Sequence, residues 1–189
     1  MKVLIFDTET TGLLPKKLQL NSTNSFMFPY IIQLSWIIYD TKLNECIEKD
    51  YIIKCPVKIP DESINIHHIT DIKSQTGHCI HRVLPIFVQD FRNCDLIVGF
   101  NMQFDLSMLE IELNRLDLYQ ETDIIFGKKF FDVMLESVNI LKLKGKFSKY
   151  KYPKLIECYK HFFGKEFNDQ HNAMGDVRAT LEIYKKLME

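Results

Sequence analysis

The stretch KVLIFDTETTG, Lys2–Gly12, settles how the rest of the chain is read. Lys2 to Phe6 suit a strand in the middle of a core, yet that strand runs straight into Asp7, Thr8 and Glu9. In a strand, residues two apart point to one face, so the two carboxylates stand together. Side by side they repel, and burying either one alone is costly. A divalent cation removes both objections, because magnesium and manganese prefer carboxylate oxygen. Taken alone, Asp-x-Glu reads as a strand end emerging into solvent, so the question passes to the other acids.

Asp105 follows the apolar run LIVGF and sits at the start of a helical pattern, where an acid is favoured near the N-terminus. Asp176 is harder to place. With Thr180, Ile183 and Leu187 it forms a helical stripe, flanked by Val177, Leu181, Tyr184 and Met188. A carboxylate on so apolar a face needs a basic partner or a metal. His171 lies just before this helix. A loop histidine is usually solvated or caps a helix, but beside a metal-bound water it acts as a general base, since its pKa lies near neutrality.

The chain has 189 residues, 46% of them hydrophobic, which suits one domain, residues 1–189, with a proper core. No run of eighteen apolar residues spans a membrane. A basic segment followed by an apolar stretch and a cleavage site is lacking at the N-terminus, so no secretory signal is expected. Five scattered cysteines (46, 55, 79, 94 and 158) without a Cys-x-x-Cys pair fit free thiols in a reducing, intracellular compartment. The Lys-, Ile- and Asn-rich composition suits an AT-rich genome, viral or bacterial. A net charge of −1 and a pI of about 6.6 do not fit a protein that coats nucleic acid by bulk attraction.

After the first strand, 30–40 and 46–54 read as strands. The segment 13–29 is long for a hairpin connection, hence a functional or a mobile loop. Helical periodicity follows over 78–93, where Pro85 marks either a kink or the true start. A short strand over 95–100, a helix over 104–116 and a strand turning into a helix over 128–141 come next. Helices over 153–164, punctuated by Pro and Gly, and 173–188 close the chain. Together these predict an α/β fold with a mixed β-sheet.

FDTETTG (6–12), VGFNMQFD (98–105) and HNAMGD (171–176), in that order, resemble the three exonuclease motifs of the DEDDh 3′→5′ exonucleases of the RNase H-like superfamily. IHHIT (66–70) is similar to that family's Val-His-Gly-Ile-Thr segment, and KKFFDVM (128–134) to its strand-to-helix Asp. The resemblance implies an RNase H-like sheet flanked by helices. It implies metal-binding roles for Asp7, Glu9, Asp105 and Asp176, a general base in His171, and two ions of Mg2+ or Mn2+. One ion, with His171, would activate water; the other would stabilise the departing 3′ oxygen. Two departures, Phe100 for a common His and His68 for Gly, bear on substrate preference more than on activity.

The resemblance also suggests that Thr10, Thr11, Gly12 and Leu13 cradle the terminal nucleotide; an ordinary turn with Gly12 in an unusual dihedral is the plain alternative. Asn101 either bonds near the site or caps the helix of Asp105. Phe104 either stacks on a base or joins the core. The segment 142–154 carries six lysines, Lys149 and Lys151 among them, interleaved with aromatics, as a guide for a single strand or as a solvated connector. The expected partner is a nucleic acid 3′ end, DNA before RNA, alone or within a polymerase, replication or repair assembly. The rivals are an RNA-end trimmer, a non-catalytic nucleic-acid- or polymerase-binding module, and a zinc module built from His67, His68, His78, Cys79 and His81, whose spacing matches no common zinc pattern.

Overall fold

The computed structural model describes every residue except 22, 119–120, 122–126, 146–149 and 169. Strand β1 (Lys2–Thr10) occupies the centre of a five-stranded sheet of order β3-β2-β1-β4-β5. β2 (Ile31–Asp40) and β3 (Glu45–Ile52) add antiparallel on one side. β4 (Leu96–Gly99) and β5 (Lys129–Asp132) add parallel on the other, making the sheet mixed.

Alternation along β1 divides the core in two. Leu4 and Phe6 join Leu34, Trp36 and Ile97 under α3 (Ile80–Asn93) and α4 (Met102–Arg115). Val3 and Ile5 join Ile37 and Val98 under α5 (Val133–Leu141), α6 (Leu155–Phe163) and α7 (Ala173–Leu187). Each such side chain taken from water contributes about 1.5–3 kcal/mol, and Val3, Leu4, Ile5 and Phe6 are all buried. The continuous apolar run is therefore what a strand covered on both faces requires.

Two short helices, α1 (Asp61–His67) and α2 (Asp71–Gln75), were not legible as periodic segments. α3 begins five residues before Pro85, which lies inside it, so the proline does not mark the start. Within the described part of 13–29, Leu14, Leu18 and Leu20 pack against the first core, and Ser25–Met27 form a single 3-10 turn. α6 ends at Gly164 in the left-handed region, φ 69°, as its glycine predicts.

Candidate active site

The alternation that splits the core also sorts the acids. Asp7 and Glu9 share the face of Val3 and Ile5, where α7 lies. Asp176, in the first turn of α7, meets them there: one oxygen from each of the three carboxylates falls within 4.8 Å of the others. Asp105 reaches the same strand end from the α4 face. Its Oδ1 accepts from the Thr8 amide at 3.0 Å and from Thr8 Oγ1 at 2.6 Å. Thr8 thus ties Asp105 to β1 between the two acids, a role that adjacency in sequence does not reveal. A register shift between Glu9 and Thr10 interrupts the pairing with β2 at the site, and Thr10 pairs beyond it with Ile31.

Burial pushes all four carboxyls up. Asp7 is raised well above its usual range by burial, then by Asp105, Asp176 and Glu9. Glu9 rises to about 8 by burial and by the charges of Asp176 and Asp105. Asp105 and Asp176 rise to about 7 by burial, opposed by the bonds from Thr8 and from the His171 amide respectively. None of the ion pairs between described residues involves these four acids. Crowded carboxylates with no cationic partner of their own are the donor set that a divalent cation fits.

His171 sits before α7 with φ 60°, its side chain exposed. Asn101, before α4, has φ 58°. Both acid-bearing helices are thus entered through a non-glycine residue in the left-handed region, a strained conformation that needs support from its surroundings. Asn101 makes no side-chain cap, which corrects that reading. The cap comes instead from Asp132: its Oδ1 accepts from Asn101 N and Met134 N at 3.1 and 2.9 Å, and its Oδ2 from Met102 N at 2.9 Å. One carboxylate therefore serves the N-termini of α4 and α5. An Asp directly before a helical run is the signal that points to it.

Thr11 is spent on structure. Its amide donates to Tyr30 O, its hydroxyl accepts from Tyr30 N, and its carbonyl accepts from Ser63 Oγ. Thr10 Oγ1 donates to Gly12 O at 2.8 Å. Gly12 does not have the left-handed dihedral of the turn reading, and a Cβ there would meet nothing within 4 Å. Leu13 is exposed, and Phe104 is partly buried against the first core. Lys151 Nζ is paired with Glu157 Oε1 at 2.6 Å; Lys149 lies outside the described residues. The histidines and cysteines of 67–81 do not gather: among the described residues, the one group of three or more with metal-ligand spacing is Asp7, Glu9 and Asp176. His67 Nδ1 accepts from the Ile69 amide.

The sequence model of the exonuclease family matches residues 4–184. Among solved structures, E. coli Exonuclease I in complex with a dT13 oligonucleotide superposes with a TM-score of 0.75 at 17% identity, covering 98% of this chain and 40% of that one. The nuclease domain of 3′hExo, a DEDDh family member bound to rAMP, gives 0.67 at 16%, covering 99% of this chain and 91% of that one. This chain therefore spans about 40% of the length of Exonuclease I. No curated protein matches the sequence significantly. With nearly its whole length matched by the family model, the chain belongs to the exonuclease family and has the RNase H-like fold of the DEDDh nucleases.

Proposed function

We propose that this chain, acting as one domain, is a divalent-metal-dependent 3′→5′ exonuclease that releases nucleoside 5′-monophosphates from nucleic acid 3′ ends, with single-stranded or frayed DNA favoured. The observation that carries it is the meeting of Asp7, Glu9 and Asp176 within 4.8 Å, with Asp105 tied to Thr8 beside them. Family membership implies dependence on divalent cations. Asp7, Glu9, Asp105 and Asp176 would hold two ions, Mg2+ or Mn2+. When bound, such ions neutralise phosphate charge and make water more acidic.

The chain's own residues do the rest. His171, exposed at the rim, takes a proton from the water that attacks phosphorus. The P–O bond to the 3′ oxygen of the penultimate nucleotide breaks, and that oxygen takes its proton from solvent. Gly12, with open space above it, lets the terminal nucleotide approach the backbone of 10–13 closely, while Leu13 and Phe104 offer apolar contact. Asn101 flanks the site, and Lys149 and Lys151 would guide the strand, Lys151 by leaving an ion pair that costs little to open. Trimming of RNA ends is the second reading, supported by the relative bound to rAMP. Five free thiols favour a reducing compartment, and a polymerase or repair assembly is the kind of partner such an activity would serve.

The test supplies labelled single-stranded DNA, frayed duplex and RNA with Mg2+ or Mn2+. The expected result is mononucleotides from the 3′ end, abolished by chelator and by Asp7→Ala or Asp176→Ala. Products from the 5′ end, or activity indifferent to chelator, would refute the assignment.

A further inference from the structure

We infer that Gln33 and Asp50 are positioning residues that set the N-terminus of α7, and so Asp176 and His171, against β1; this rests on the function proposed above. Gln33 is the cross-strand partner of Glu9, and its side chain is buried. Both ends of its amide are engaged. Nε2 donates to Asp50 Oδ1 at 2.8 Å, while Oε1 accepts from the Ala173 amide at 3.3 Å and from Asn172 Nδ2 at 3.4 Å. The same Asp50 oxygen accepts from Ser35 Oγ at 2.7 Å, and the fully buried Ser35 pairs with Asp7.

The direction of this chain of bonds is fixed by chemistry. An ionised carboxylate only accepts, so Asp50 draws the NH2 end of Gln33 towards β3. The carbonyl end must then face α7, whose first amides have no partner within the helix. Asn172 repeats the polarity: its Nδ2 turns to Gln33, while its Oδ1 accepts from the Gly175 amide at 3.3 Å. The Asp176 amide closes the first turn on Asn172 O at 3.0 Å. A carboxylate on the edge strand therefore orders two amides in series, ending one helical turn from an acid of the cluster and one residue from His171.

The two contacts to α7 are at the long end of hydrogen-bond range, so the relay sets position more than it holds the helix down. α7 has a separate tie to the same strand, Arg178 to Glu48 at 2.5 Å, and the buried contacts of its apolar face. Displacement of a reacting group by about 1 Å can cost 10²-fold in rate; partial loosening of one turn is expected to cost about tenfold.

Asp50→Ala, Gln33→Leu, the double variant and a Glu48→Ala control test this. Hydrogen exchange in metal-free protein reads the amides of 173–176. Mn2+ titration calorimetry and kcat and KM on a short oligonucleotide read the consequence. Supporting results are faster exchange confined to that turn in both single variants, weaker Mn2+ binding, kcat down about tenfold with KM unchanged, and a double variant no worse than Gln33→Leu. Unchanged exchange, additive losses, or an equal kcat loss in Glu48→Ala would overturn the relay. Faster exchange in a protein that in wild-type form binds no Mn2+ would overturn the exonuclease reading and the positioning role with it, leaving a structural contact.

Discussion

Removing the divalent cation should make this protein lose stability as pH rises through neutrality, the reverse of the ordinary carboxylate effect. Glu9 goes from 4.5 to about 8 on folding, and Asp7, Asp105 and Asp176 also rise. A raised acid pKa means the folded state binds the proton more tightly than the unfolded state. Stability is then withdrawn from the unfolded pKa upward, until the folded pKa is passed. His67, lowered to about 4 by burial, has the opposite slope, but its contribution is complete above 6.5. The buried thiols of Cys94 and Cys158 respond only above 9. The interval from pH 6.5 to 8.5 therefore isolates the acids.

Each pKa unit is worth about 1.4 kcal/mol. Glu9 alone has about 1.5 units left to titrate in that interval, or about 2 kcal/mol before solvent screening. With the other acids, and with screening at the partly exposed Glu9 and Asp176, the net loss should be about 2–3 kcal/mol, a large part of a typical 5–15 kcal/mol. Urea unfolding in EDTA at pH 6.5, 7.5 and 8.5 measures it. Mn2+ at about 100 times its Kd should restore about 2.7 kcal/mol. Asp7→Asn should be more stable than wild type at pH 8.5 in EDTA and gain little from Mn2+. Stability that is flat or rising with pH in EDTA, or an Asp7→Asn variant weaker than wild type there, would refute the reasoning.

Asp132→Ala should cost about 2–4 kcal/mol in urea unfolding, because two helix N-termini lose a charged acceptor together; Asp132→Asn, which keeps an acceptor, should cost less. His68, at φ 59° as the C-cap of α1, stands where a left-handed backbone favours glycine. His68→Gly should therefore raise stability by about 0.5–1 kcal/mol, read as a higher urea midpoint at unchanged m-value. Gly77→Ala should lower stability by about 1–3 kcal/mol, since its Cβ would lie 2.5 Å from Ile52 O.

What was legible in the sequence was local or periodic. The central strand shows itself as an unbroken apolar run, and the Asp7–Glu9 pairing follows from strand alternation. Asp176 stands out because it interrupts an apolar helical stripe. What escaped depends on partners distant along the chain. The attachment of Asp105 to Thr8 spans 97 positions, and that of Gln33 to Ala173 spans 140, so neither leaves a pattern in any window. α1 and α2, with seven and five residues, are too short to display a period. Lys151 read as part of a basic patch because its neutralising Glu157 falls just past the patch's end.

α7 packs directly on β1, so the acid cluster joins Asp7 and Glu9 to Asp176, which is made much later. A chain still emerging from the ribosome carries Asp7, Glu9 and Asp105 long before Asp176 is free to join them. Until α7 docks, the nascent polypeptide holds an incomplete ligand set. The order of synthesis thus delays assembly of the cluster until the segment that carries α7 has left the ribosome.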